Sequence, residues 1–242
     1  MKINEIQKGV LYIIPSPLGD TPPLEVLPIS IKTVINELTH FIVENEKMGR
    51  RFIKKIIPSK NQDELVVFQL NKYSTQEEIN TYLDCCSKGI SIGLLSDVGC
   101  PGIADPGAVI VSKAHKNKIK VKPLVGPSSI ILAMMSSGMN GQNFAFNGYL
   151  PIDKKNRSHA LSKFQRLAEK NNQAQIFIET PYRNNNLFIE MLKVLDSSTR
   201  ICVACDLSMK SEFVKTLSVL EWKKDKPDLN KRPCIFIIES FN

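Results

Sequence analysis

The stretch SDVGCPGIADPG (residues 96–107) follows directly on a compact apolar run, ISIGLL (90–95). It carries Gly99, Gly102 and Gly107, two prolines, and the acids Asp97 and Asp105. A short apolar run that stops abruptly in turn chemistry reads as a buried strand followed by the loop at its carboxyl end. The same arrangement stands at the start of the chain, where GVLYIIP (9–15) is a β-branched strand and PSPLGD (15–20) is the loop after it. Further strands read at HFIVEN (40–45), ELVVFQL (64–70) and IKVKPLV (119–125). Between them lie helical spacings: ISIKTVINEL (29–38), the basic MGRRFIKKII (48–57), a segment capped by Ser74 or Thr75 and running to about Cys86, and one starting at Pro106. Strands separated by helices make βαβ units and a mostly parallel sheet.

A second series begins at GPSS (126–129). A helix containing Ile130, Ile131, Met134 and Met135 leads to the strand NFAFNGYL, the basic helix KKNRSHALSKFQRLAEK, the strand AQIFIE and the helix YRNNNLFIEMLKVL. RICVACDL, EFVKTLSVLEW and RPCIFIIES then read as strands. The last two have no clear helix between them, so this half has a mixed sheet. The expected fold class is α/β in two domains, residues 1–124 with a mostly parallel sheet and residues 125–242 with a mixed one.

In open parallel sheets, ligands sit in the crevice beyond the carboxyl ends of the strands. Both turn-rich loops lie on that edge. Glycine lets a backbone approach a ligand closely, and Asp97 and Asp105 accept hydrogen bonds from hydroxyl or ammonium groups. Asp105 has a plainer role open to it, capping the helix that starts at Pro106. No G-x-G-x-x-G opens a helix and no GxxxxGK[ST] is present, so a dinucleotide or nucleoside triphosphate cradle is unsupported.

The 242 residues are 43% hydrophobic and 23% charged, enough for a sizeable core. The net charge of +8 suits a polyanionic partner such as RNA. A merely lysine-rich surface is the alternative. GRRFIKKIIPSK and KKNRSHALSK could contact phosphates, although neither interleaves aromatics for base stacking. No apolar run reaches the length of a membrane helix and MKINEIQKGV lacks a signal-type core, which points to the cytoplasm. The six cysteines do not form a disulfide-framework pattern. Cys202 and Cys205 would point to opposite faces of a strand, so no metal site is expected. His40, His115 and His159 are scattered and read as surface residues.

LYIIPSPLGD, SDVGCPGIADPG, PLVGPSSIILAMMSSGM, FAFNGYLP and FIETPYR, in that order, resemble the tetrapyrrole methylase superfamily of S-adenosylmethionine-dependent methyltransferases. Within it they look most like the ribosomal RNA small subunit methyltransferase I branch. The resemblance implies two α/β domains with the methyl donor bound between them, and a homodimer. By motif position the donor would be held by Pro15, Ser16, Pro17 and Leu18, by Asp97, Val98, Gly99, Cys100 and Pro101, and by Ser128 and Ser129. From the second domain it implies Glu179 and Thr180, Ala204 to Leu207, and Pro233–Cys234. The methyl on a sulfonium is already activated, so alignment of the acceptor is the main task; an acceptor hydroxyl also loses a proton, to a side chain or to water, and a carboxylate at the cleft is the natural candidate. Glu44 and Glu179, each ending a strand, are the catalytic candidates, and solvated strand ends are their plain alternative.

The chain departs from that branch on the acceptor side. VENEKMGRR keeps Glu44 but has Asn45 and Lys47 where the branch has Asp and Arg; FQLNK, ETPYR and ACDLSMKSEF each lack the branch's histidine. Three functions follow as expectations. The first is methylation of small-subunit ribosomal RNA at a ribose 2′-hydroxyl. The second is methylation of a tetrapyrrole ring. The third is RNA binding without catalysis. The charge and the GPSS and GIADPG text favour the first.

Overall fold

The computed structural model describes residues 7–240, so the segment MKINEI read for targeting lies outside the described residues. The chain divides into two compact units, residues 1–128 and 129–242.

The first unit runs β1 (Val10–Ile14), α1 (Pro23–Val26), α2 (Ile31–Glu37), β2 (His40–Val43), α3 (Glu46–Ile56), β3 (Val66–Gln69), α4 (Gln76–Thr81), α5 (Asp84–Ser87), β4 (Ile92–Leu95), α6 (Ala108–Lys116) and β5 (Lys120–Pro123). Its five strands pair in the order β3-β2-β4-β1-β5, every pair parallel. β4 is buried at each of its positions, as a strand covered on both faces must be. Strand alternation sends Leu11, Ile42, Ile92 and Leu94 to one face, where they pack with Ile79 of α4 and Ile110 of α6. Ile14, Phe41, Val43 and Leu95 go to the other, against Ile31 and Ile35 of α2 and Ile53 and Ile56 of α3.

Local chemistry sets the helix ends. Thr75 and Glu78 form a reciprocal capping box on α4, and the single helix expected through Cys86 breaks into α4 and α5. The helix expected at Pro106 starts at Ala108 instead. Asp105 Oδ1 accepts from the N–H groups of Gly102 and Gly107 at 2.6 and 2.8 Å, which closes residues 102–107 into a turn. Asn45 caps α3 by accepting from the Met48 N–H at 3.1 Å.

The second unit runs α7 (Ser129–Ser137), β6 (Phe144–Tyr149), α8 (Lys154–Asn171), β7 (Ala174–Ile178), α9 (Asn184–Val194), β8 (Arg200–Cys205), β9 (Phe213–Ser218), α10 (Val219–Trp222) and β10 (Cys234–Glu239). The sheet order is β6-β7-β10-β8-β9, with β6–β7 parallel and the other pairs antiparallel. The strand expected across EFVKTLSVLEW ends at Ser218, whose hydroxyl and Glu221 form a second capping box that starts α10. This turn buries Trp222 against Phe188, with its indole N–H donating to the Ile201 carbonyl at 2.8 Å. The cysteines need one correction: Cys205 and Cys234, opposite each other in the β8–β10 register, form a disulfide. His40 also differs from expectation, being half-buried at the start of β2, where burial lowers its pKa.

α3 lies close on β2 because Gly49 has no side chain; a Cβ there would fall 2.7 Å from Val43 Cγ1. Gly49→Ala therefore sets a helix-propensity gain of up to about 1 kcal/mol against overpacking of about 1–3 kcal/mol on a buried valine. Overpacking wins, and urea unfolding is expected to show a net loss of stability. A more stable variant would disprove the close packing.

Candidate active site

The parallel sheet puts the carboxyl ends of β1, β2 and β4 on one edge, with β4 between the other two. The loops that follow β1 and β4 are bonded to each other. The Ser16 N–H donates to Gly99 O at 2.9 Å, and the Gly99 N–H returns a bond to Ser16 O at 3.2 Å. Ser16 is 4% exposed, and its hydroxyl donates to Ser96 O at 2.9 Å. Gly99 has φ +73°, and a Cβ on it would sit 3.1 Å from Leu18 Cδ2, so both conformation and space call for glycine. The loop after β5 joins the same group. Gly126 lies so close to Pro15 that a Cβ would be 2.3 Å from Pro15 Cγ, and the Cys100 thiol donates to Pro127 O at 3.4 Å. The structure thus brings Pro15–Leu18, Asp97–Pro101 and the 126–128 stretch together within the first unit. Ser129 is the first residue of α7 in the second.

A cavity of about 270 Å³ opens beside these loops, between them and α3. Its walls include Pro17, Val43, Phe52 and Leu95, and its polar groups include Ser96, Asp97, Arg51 and Lys55. Lys55 Nζ lies 3.2 Å from Asp20 at the rim. Glu44, expected as a catalytic base, is otherwise occupied. Its Oε1 accepts from the Asp97 N–H at 3.0 Å and from the Ser96 hydroxyl at 3.1 Å, so Glu44 anchors the first turn of the 96–101 loop. Asp97 carries the perturbed acid. Burial first, and then the neighbouring Glu44 charge, push its carboxyl above the ordinary aspartate value, against a hydrogen bond from the Asn45 backbone.

Within the second unit, the start of β10 lies beside the ends of β7 and β8, with Ile235 opposite Ile178 and Cys234 opposite Cys205. This gathers Thr180, Leu207 and Pro233 at one sheet edge. Several assigned side chains there are enclosed. Ala204 is 1% exposed, Leu207 7% and Cys234 5%. The Glu179 carboxylate accepts from Thr180 N at 2.6 Å and from two Arg183 nitrogens at 2.9 and 2.6 Å. Its side chain is 1% exposed. Glu179, the second catalytic candidate, is thus engaged by a guanidinium and a main-chain N–H. Asp206 is likewise tied to Arg232, at 2.8 Å.

The sequence reading missed Ser96, which bonds both Glu44 and the Ser16 loop, and gave no side-chain role to Phe52. It placed Arg51 and Lys55 in a basic helix without placing them at the site. Helical spacing from the apolar Phe52, Ile53 and Ile56 locates the cationic face, but only the sheet order shows which loop that face meets.

No family model matches the chain. It is 25% identical to the ribosomal RNA small subunit methyltransferase I of Vibrio cholerae, over 96% of this chain and 77% of that protein. It is 26% identical to the protein of the same name from Buchnera aphidicola subsp. Acyrthosiphon pisum, over 99% of this chain and 82% of the relative. Among solved structures, the methyltransferase CobJ superposes with a TM-score of 0.63 at 13% identity, over 96% of this chain and 94% of CobJ. The uroporphyrin-III C-methyl transferase from Thermus thermophilus, complexed with S-adenyl homocysteine, gives 0.58 at 15% identity, over 96% and 98% of the two chains. The resemblance read from the loops is borne out: the chain has the tetrapyrrole methylase fold and is a divergent relative of the ribosomal RNA small subunit methyltransferase I proteins.

The raised Asp97 pKa has a consequence for stability. The folded chain holds this proton more tightly than the unfolded one, so the stabilising contribution is complete below the ordinary value of 3.8 and is lost as pH rises through the raised one. Asp97→Asn removes the ionised form. At neutral pH the variant is expected to resist urea better than the wild type, with the gap narrowing as pH falls toward the ordinary aspartate range. A gap that stays constant from about pH 4 to 8 would contradict the shift.

Proposed function

We propose that this chain, a relative of ribosomal RNA small subunit methyltransferase I, is an S-adenosylmethionine-dependent methyltransferase that modifies small-subunit ribosomal RNA at a ribose 2′-hydroxyl. The observation that carries the reading is the bonding of the 15–18, 97–101 and 126–128 stretches into one surface at the carboxyl edge of a parallel sheet. These are the stretches in which the sequence follows the donor-side pattern most fully.

The residues fit such a donor. S-adenosylmethionine supplies an activated methyl on a positively charged sulfur, and the carboxylates of Asp97 and Glu44 give this edge the matching sign. Pro15, Ser16, Pro17 and Leu18, the 97–101 loop, and Ser128 and Ser129 are the donor-binding residues of the proposal. The resemblance assigns Thr180, Ala204, Leu207, Pro233 and Cys234 of the second unit to the donor as well; the side chains of Ala204 and Cys234 are buried.

The +8 net charge supports an RNA substrate over an uncharged one. In this reading the protein works in the cytoplasm, where a ribosomal substrate would be met, and as a homodimer, as the resemblance implies. Among the described residues no helix is long and apolar enough to cross a membrane.

Calorimetric titration with S-adenosylmethionine is the direct test, and micromolar binding by the wild type is expected. Gly99→Val forces a β-branched residue into a left-handed conformation, at about 1–3 kcal/mol, and pushes against Leu18. The variant is expected to melt cooperatively and to bind the donor too weakly to detect. Wild-type donor affinity in that variant would remove the 97–101 loop from the site.

A further inference from the structure

We propose that the cavity between the 96–101 loop and α3 receives one unpaired nucleotide of the RNA, with its phosphate at Arg51 and its ribose hydroxyl at Asp97, and that Asp97 takes the hydroxyl proton. The inference deepens the methyl-transfer reading above and rests on it.

Size comes first. A space of about 270 Å³ holds part of a single nucleotide and has no room for a base pair. The acceptor must therefore leave its stack, the state in which single-stranded RNA offers its bases to proteins. Phe52 on the cavity wall gives an aromatic face against which a splayed base can lie.

Charge comes second. α3 carries Arg50, Arg51 and Lys55 near this space, Arg51 and Lys55 on its wall, and the three are not equivalent. Arg50 is engaged by Glu46 at 2.8 Å and by Gln62 O at 2.6 Å, and Lys55 by Asp20 at 3.2 Å. Arg51 lines the cavity, is exposed, and has no ion-pair partner among the described residues. A guanidinium with unspent donors beside a nucleotide-sized space is suited to a phosphate.

The proton acceptor follows by comparing the two acids. Glu44 already accepts two hydrogen bonds through Oε1 and holds the loop in place. Asp97 lines the cavity on the same loop that the donor contacts. In the transfer, the hydroxyl oxygen forms a bond to the methyl carbon while the carbon–sulfur bond breaks and its electron pair stays on sulfur. The hydroxyl proton passes to the Asp97 carboxylate and then to water. A carboxyl lifted toward neutrality is a better acceptor than an ordinary one. The charged groups around it are Glu44 at the end of β2, Asp20 after β1, and Arg51 and Lys55 of α3. Glu44 is the positioning residue.

The test is steady-state methyl transfer from S-adenosylmethionine to purified small ribosomal subunits, using wild type, Asp97→Asn and Arg51→Ala. At saturating S-adenosylmethionine, Asp97→Asn is expected to lose about 10²–10⁴-fold in kcat and to lose the acid limb of the wild-type pH–rate profile. Arg51→Ala is expected to keep kcat, to raise KM for the subunits about tenfold, and to lower the salt dependence of KM by about one ion. Single-stranded RNA should inhibit the wild type more strongly than a duplex of the same sequence. Two results would each overturn the inference: Asp97→Asn within about threefold of wild-type kcat with its pH profile intact, or Arg51→Ala with KM and salt dependence unmoved. Both leave the parent reading standing so long as the wild type transfers methyl groups. A folded, donor-binding wild type that transfers nothing to the subunits overturns both.

Discussion

The pair of main-chain hydrogen bonds between Ser16 and Gly99 is the constraint on which the site depends. β1 and β4 are neighbours in a parallel sheet, and their following loops would otherwise diverge toward separate helices. The bridge folds both loops back across the strand ends. It requires a residue with φ +73° at position 99 and a nearly buried serine at position 16. Once it is made, the remaining contacts are local consequences. The Ser16 hydroxyl reaches Ser96, Ser96 reaches Glu44, and Glu44 turns back to hold the Asp97 N–H. A chain of hydrogen bonds thus runs from the end of β1 through the end of β4 to the end of β2. Each member is partly shielded from water, where such bonds are strong when complete and costly when one is missing.

Much of this was legible in the sequence, for identifiable reasons. The alternation of apolar strand and amphipathic helix gave the parallel sheet, because crossover connections leave few other topologies. Gly99, Pro101 and Gly102 marked the loop, since turn residues carry their conformational signal locally. The loops after β1, β4 and β5 meet, because all of them start at strand ends and strand ends share an edge. The roles of the acids were not legible. Glu44 and Glu179 look alike in sequence, each closing a strand. One meets a serine hydroxyl and a loop N–H, the other an arginine one helical turn later, and neither pairing can be read without the fold. The α10 turn was missed because Ser218 and Glu221 lie inside a run whose residues suit a strand, and the capping box won over β propensity.

In the second unit the acids at the strand ends are tied up by arginines. At the β7, β8 and β10 ends, Glu179 is paired with Arg183 and Asp206 with Arg232. Both carboxylates are nearly buried, and each has a guanidinium beside it. Asn45 likewise has a structural partner in the first unit. It stands where the related branch has an aspartate, yet it still caps α3 through Met48, so the helix that carries Arg51 keeps its start.

Asp97 and Glu44 are two acids held close at the end of a parallel sheet, an arrangement that folding alone does not favour. Burial and like charge both oppose ionisation of Asp97, and the hydrogen bond from Asn45 offsets them only in part. A sequence optimised for stability would place an amide at position 97, which could keep the loop's hydrogen bonds without the second charge. The chain instead keeps the acid and spends Glu44 on holding the backbone beneath it. The acid proposed as proton acceptor thus sits at a cavity where burial and like charge oppose its ionisation, beside an arginine with no ion-pair partner among the described residues, the kind of environment in which functional acids are commonly found.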